Sequence, residues 1–395
     1  MTSTDPTTVR SDAPAAADVS VHGTADPRFD ALREEFARRL ANGDELGASI
    51  AVRLDGEPVV DLWGGSADPE RTRPWEADTL TNVWSISKTV SALAALVLVD
   101  RGELDLDAPV ARYWPEFGAA GKSEVTVRQL LSHRSGVSGW AQPIDAAALF
   151  DVEAAEARLA AQEPWWPAGT ASGYCLLGYG HLVDALVRRV DGRDLGAFVA
   201  DELAGPLGAD FHLGLPESED ARVSDVIPPV GTLDLAAIPP ESVAFRTLTG
   251  PVLPAELTWT RAWRAAGFGG AGGQSNARAV ALLAELVACG GEAGGVRLLS
   301  PGTVDEILAS TSDGVDLVLG LPLRFGIGFA TPHPITNPGL PEGRLAYWGG
   351  WGGSLIVADP DRRLAVGYVM NRMSPGIIGS ERSDAYTRAI FAALD

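Results

Sequence analysis

Sulfur and lysine are both scarce in this chain. Its 395 residues include only two cysteines and three methionines, and lysine occurs twice, at Lys88 and Lys122. Cys175 and Cys289 form no CxxC pair and have no histidine at ligand spacing, so neither a disulfide framework nor a zinc site is indicated. A reducing cytoplasm fits that usage. A long apolar run is missing too: no stretch approaches the ~18 residues needed to span a membrane. Residues 1–25 lack the basic start and apolar centre of a secretion signal and read as a flexible tail. Positive charge is short overall, with 31 Lys and Arg against 52 Asp and Glu and a net charge of −21. Such a field repels phosphate backbones and anionic lipid surfaces, which argues against nucleic-acid and membrane partners. The oligomeric state is not legible.

What is present is ordinary globular material, 46% hydrophobic and 21% charged, long enough to bury a substantial core. In "PRFDALREEFARRLANG", Phe29, Leu32, Phe36 and Leu40 fall at helical spacing before Gly43, which predicts an amphipathic helix with a glycine stop. "GASIAVRLDG" and "EPVVDLWGG" flank Asp55-Gly56, a strong hairpin signal. A second hairpin is expected in "GSLIVADPDRRLAVGYVMN", and a closing helix in "SDAYTRAIFAALD". Between these ends the clearest helices are "VTVRQLLSHRSGV" and "YCLLGYGHLVDALVRRVDG", and residues 227–257 read as a loop-dominated crossing. The predicted class is α+β, with an antiparallel sheet built from residues 26–105 and 246–395 and a mainly helical insertion over residues 106–245.

One lysine stands three residues after a serine in "TNVWSISKTV". Positions i and i+3 share a helix face, so Ser85 Oγ and Lys88 Nζ can meet. A serine becomes nucleophilic when a base takes its proton, and a lysine is such a base only when desolvation or nearby positive charge lowers its pKa. Trp84, Ile86 and the apolar "ALAALVLV" supply desolvation, and the helix N-terminus disfavours an ammonium. The spacing alone is weak, because a Ser-x-x-Lys arises readily by chance. Competing machinery is missing: no G-x-S-x-G elbow, H-E-x-x-H or P-loop is present. The Gly-rich "GFGGAGGQSNARAVALLAEL" reads as a tight surface turn ahead of a helix.

"SISK" at 85–88, "PAGTASGYCLLGYG" at 167–180 and "WGGWGGS" at 348–354 together resemble, in order and rough spacing, the three active-site motifs of the serine β-lactamase and penicillin-binding-protein superfamily. The likeness is to the class C β-lactamase-like branch, which includes the family VIII carboxylesterases, and supporting stretches such as "VTVRQLLSHRSGV" and "RFGIGF" extend it from about residue 28 onwards. It implies a β-lactamase/transpeptidase-like fold and an acyl-enzyme mechanism without metal or cofactor. By the same match Ser85 is the nucleophile, Lys88 its activating base and Tyr174 the proton relay. The backbone N–H groups of Ser85 and Trp351 form the oxyanion hole, and Trp348, Gly349 and Gly350 lie on the substrate-binding strand.

Two positions depart from the class C pattern. Leu176 stands where Tyr-x-Asn would place an asparagine amide, and Trp348 replaces a lysine that helps hold a β-lactam carboxylate. Both changes remove polar handles and add apolar surface, as in the esterase-like relatives. Trp84 and Trp140 are read as aromatic substrate walls. His133 reads as a helix-end residue supporting the fold, His181 as a solvated or hydrogen-bonded helix residue and Cys175 as a buried structural thiol. The expected activity is hydrolysis of carboxylic esters with an apolar acyl or alcohol group. Transfer of the acyl group to an amine or alcohol acceptor is the alternative, and β-lactamase or peptidase/amidase action a lesser one. An inert binding fold would be expected to lack Ser85, Lys88 or Tyr174, and all three are present.

Overall fold

The structure, a computed structural model, describes residues 20–142, 144–231 and 234–394. Helix α1 (Asp30–Asn42) ends as expected on Gly43, whose left-handed φ of 82° lets its N–H cap Leu40 O. Strands β2 (Gly47–Leu54) and β3 (Glu57–Gly65) form the hairpin across Asp55-Gly56, both at positive φ, which matches the right-handed twist of the two strands. The second hairpin pairs Leu355–Asp359 with Leu364–Met370.

These hairpins meet when Leu364–Met370 pairs antiparallel with β2, Ala48 opposite Met370, and so the two ends of the chain make one sheet. Among the described residues that sheet has nine strands, continuing outward through Ala346–Gly349, Ala330–Thr331 and Pro322–Phe325 to Ser312–Val315. Helix Ala277–Ala288 lies on one face, so close that a Cβ on Gly367 would stand 2.3 Å from Ala277 O. Helix α2 (Ile86–Asp100) is buried on every side from Ile86 to Leu98 and packs against helix Gly178–Val190 and strand Ala346–Gly349. A helix buried on every side belongs at a core, and this one is central. Residues 106–245 carry helices and single turns, plus the short strands Phe211–His212 and Val223–Ser224. Those two join β4 (Leu80–Asn82) and Gln274–Ser275 in a small second sheet. Among the described residues no helix is long and apolar enough to cross a membrane.

Four expectations need correction. Val21–Ala25, read as part of a tail, is an edge strand, β1, paired antiparallel with β3. Its Gly-Thr-Ala content carries little strand signal of its own; the partner edge creates it, and Gly23 sits tight under the Trp63 ring. Residues 1–19 of that expected tail lie outside the described residues. The helix read from Tyr174 onwards starts only at Gly178, and the one read in "VTVRQLLSHRSGV" is confined to Val127–Leu131. His133 ends that turn at φ 60°, a conformation that no helix continues. The Gly-rich stretch at 268–273 is buried rather than superficial.

Candidate active site

β4 delivers the chain to Val83, whose N–H donates to Gly273 O at 2.9 Å. Trp84 follows at φ 51°, an unfavourable left-handed conformation for a large residue that costs roughly 1–2 kcal/mol. The kink turns the strand abruptly into α2, with Ser85 at the cap position. Ser87 Oγ donates to Trp84 O at 2.6 Å and accepts from Gly273 N–H at 2.8 Å, so the kink is pinned from both sides.

The buried Gly-rich turn wraps the start of α2. Asn82 Nδ2 donates to Ala271 O at 3.1 Å, Ser91 Oγ to Gly269 O at 2.8 Å and Lys88 Nζ to Gly270 O at 2.5 Å. Only glycine permits that approach: a Cβ on Gly180 would lie 2.2 Å from Gly270 N, and one on Gly269 would lie 2.6 Å from Ser91 Oγ. Sequence reasoning missed this cradle because glycines before a helix look the same whether solvent or another helix covers them.

Lys88 Nζ donates to Ser85 Oγ at 3.0 Å and sits 4.9 Å from the centroid of the Tyr174 ring. Its side chain is fully enclosed, and burial brings its pKa down from 10.5 to about 7. Near neutral pH a large fraction of it is therefore the free amine. Tyr174 is just as enclosed: burial raises its pKa, with hydrogen bonds to Ser85 and Trp348 opposing, so the phenol keeps its proton. Trp348 Nε1 donates to the Tyr174 oxygen at 3.2 Å, which leaves the phenolic O–H free to donate towards Ser85. The tryptophan that replaces a lysine in the third motif thus still offers one polar handle, aimed at tyrosine.

The Tyr174 backbone belongs to neither helix nor strand. Its N–H donates to Asp316 Oδ1 at 3.1 Å, and the next N–H, of Cys175, donates to His133 Nδ1 at 3.2 Å. His133 packs among Tyr174, Tyr179 and Phe325, tilted against the two tyrosines and edge-on to the phenylalanine. Burial, with the charge of Lys88 adding to it, holds its pKa well below the ordinary histidine value, which suits an accepting Nδ1. Cys175 is buried, its thiol pushed up to about 12 by burial, and is unreactive in that state. His181 is buried rather than solvated, its Nε2 3.1 Å from Leu149 O.

The turn at 349–354 closes the other side. Gly350 N–H donates to Ser354 O at 2.8 Å, and Ser354 Oγ donates to Val83 O at 3.1 Å, fastening the turn to the kink before Ser85. Gly349 backs onto Gly379 with equally little room. Among the described residues neither the Ser85 nor the Trp351 N–H donates to a backbone acceptor, and both residues face one cavity of about 230 Å³. Trp84 and Trp351 meet edge to face at 4.9 Å on its wall, with Leu176, Leu177, Leu248, Leu253 and Ile377 around them. No charged side chain among the described residues lines it. Trp348, Gly349 and Gly350 lie behind this wall rather than on it. Trp140 does not reach it: its indole is buried in the helical region, donating to Ala155 O at 2.9 Å and meeting His181 edge-on. Core packing claims it, contrary to its reading as a substrate wall. Among the described residues no three His, Cys, Asp or Glu side chains converge as metal ligands.

Comparison with known proteins shows the family and the fold. The Beta-lactamase family model matches residues 32–390. The chain belongs to the β-lactamase family. Within it, the chain is 35% identical over 379 residues to Esterase/beta-lactamase LipL of Mycobacterium tuberculosis, covering 92% of this chain and 86% of that one. A solved family VIII carboxylesterase superposes with a TM-score of 0.89 at 39% identity, over 95% of this chain and 100% of its own. A penicillin-binding-protein homologue from Caulobacter crescentus superposes at 0.88 with 40% identity and the same coverage. The expected β-lactamase/transpeptidase-like fold is therefore the fold of this family member, a serine hydrolase by its kinship.

Proposed function

We propose that this β-lactamase-family enzyme is a carboxylesterase for neutral esters with an apolar acyl or alcohol group. The observation that carries the reading is a desolvated lysine amine 3.0 Å from a serine hydroxyl at the floor of an uncharged, largely aliphatic and tryptophan-lined cavity. Relatives named esterase and carboxylesterase support it.

In this mechanism neutral Lys88 takes the Ser85 proton as Oγ attacks the ester carbonyl. The oxyanion rests on the N–H groups of Ser85 and Trp351. Lys88 then returns the proton to the departing alkoxide through the Tyr174 hydroxyl, which accepts one proton as it gives another, and the C–O bond breaks. A water molecule attacks the acyl-enzyme by the same route in reverse, giving carboxylic acid and free Ser85. Tyr174 acts as a neutral phenol, because its pKa is raised by burial.

The cavity also sets the selectivity. A ligand carboxylate would enter without a cationic partner on the wall, and an unpaired buried charge is strongly disfavoured. A panel of p-nitrophenyl esters tests this: neutral butyrate or hexanoate should exceed the monosuccinate ester in kcat/KM by at least about 100-fold. Nitrocefin, which carries a carboxylate, should turn over poorly. Comparable rates on succinate or nitrocefin would overturn the reading. Coupled product formed with an added alcohol or amine in preference to hydrolysis would redirect it to acyl transfer.

A further inference from the structure

Tyr174 has a difficulty that Ser85 and Lys88 do not. Those two share the rigid register of α2, whereas Tyr174 lies four residues before helix Gly178–Val190 begins, in a stretch with no ladder or helix of its own. Something else must fix its hydroxyl to the few tenths of an ångström that proton transfer demands.

Two side chains from distant parts of the sequence hold its backbone. Asp316 sits at the bend between strands Ser312–Val315 and Pro322–Phe325 and is 1% exposed. Its Oδ1 accepts from the N–H groups of Tyr174 at 3.1 Å, Val318 at 2.9 Å and Leu319 at 3.0 Å. Its Oδ2 is buried with no hydrogen-bond partner among the described residues. Burying a carboxylate half-satisfied is expensive; two of its three bonds close the bend itself, and the third reaches out of the bend to Tyr174. The Leu317 N–H reaches over to Ser172 O at 2.9 Å, so the bend is docked directly on the segment leading to Tyr174. On the opposite side, His133 accepts the Cys175 N–H and lays its ring against the tyrosine at 4.9 Å.

We propose that Asp316 and His133 are positioning residues: together they grip the consecutive N–H groups of Tyr174 and Cys175 and thereby hold the Tyr174 hydroxyl at Ser85. This rests on the assignment of Tyr174 as the proton relay. Neither residue touches substrate; each acts through the tyrosine.

A double-mutant cycle in the full chain tests it, reading single-turnover acylation by p-nitrophenyl butyrate. In the native background Asp316→Ala should slow acylation at least about tenfold with KM within about threefold. In a Tyr174→Phe background, where no relay is left to position, it should cost less than about twofold. Asp316→Asn keeps an accepting oxygen and should stay within about threefold of native. If Asp316→Ala does not fold, His133→Asn supplies the same cycle with a side chain that tolerates positive φ but withdraws the imidazole. Equal factors in both backgrounds, or an Asn variant as slow as the Ala one, would overturn the positioning role while leaving Tyr174 in place. A Tyr174→Phe enzyme with native acylation would overturn the relay and the positioning together.

Discussion

In the proposed mechanism, burial of the single side chain Lys88 sets both reactivity and its cost. Burial favours the free amine and lowers the pKa to about 7, so kcat/KM should climb as pH rises from 5.5 and level off above about 7.5. Protonated Lys88 cannot accept the Ser85 proton, which fixes the sign: activity is lost towards acid. The linkage to stability follows from the same shift. The unfolded chain binds this proton with the ordinary lysine value of 10.5, so between there and about 7 the unfolded state holds more protons than the folded one. The destabilising cost of burying this amine is therefore absent at high pH, grows as pH falls and is complete below about 7. Lys88→Met should accordingly raise the melting temperature more at pH 6 than at pH 10 while abolishing esterase activity. A flat pH profile, or an equal melting shift at both pH values, would contradict the assignment. The contact between Ser85 and Lys88 was legible in the sequence because a helix makes i and i+3 neighbours wherever the chain goes. Asp316 and Gly270 were not, because what makes them matter is a contact across 142 residues in one case and 182 in the other.

At the level of elements, the proposed active site is a junction where the strand-to-helix kink at Val83–Ser85 meets the turn at 349–354. Gly350 is the point of closest approach: a Cβ there would lie 2.1 Å from Ser354 Oγ and 2.4 Å from Val83 O. Gly350→Ala must push the Trp351 N–H away from the Ser85 N–H. We expect a loss of about 100-fold or more in kcat with a stability cost of only ~1–3 kcal/mol, read by steady-state kinetics and urea denaturation. A kcat unchanged in the folded variant would show that this turn is not the oxyanion platform. The hairpins at Asp55-Gly56 and 360–363, α1 and the closing helix Glu381–Ala392 were readable from turn chemistry and periodicity, which are local properties. β1 and the small sheet containing β4 were not, since their strands are two to five residues long and exist through their partners. The start of helix Gly178–Val190 was misplaced because "YCLL" is apolar enough to continue a helical pattern. Its backbone is drawn instead to Asp316 and His133.

Over the whole molecule, a net charge of −21 surrounds a cavity that itself carries no charge among the described residues. A negative exterior discourages anionic ligands, and the proposed function takes the uncharged interior to admit neutral, apolar ones. The charge balance and the tryptophan richness were visible from composition. Which tryptophans face the cavity was not, for burial distributes them: Trp84 and Trp351 to its wall, Trp348 to the tyrosine and Trp140 to the core. In the proposed mechanism this architecture makes Ser85 the site of covalent acyl capture. The most direct measurement is the intact mass of the protein quenched within milliseconds of mixing with p-nitrophenyl butyrate, followed by peptide mapping. A single butyryl adduct should form on Ser85 and decay to free enzyme and butyrate, and Ser85→Ala should form none. An adduct that persists in Ser85→Ala, or turnover by that variant at the native rate, would contradict it.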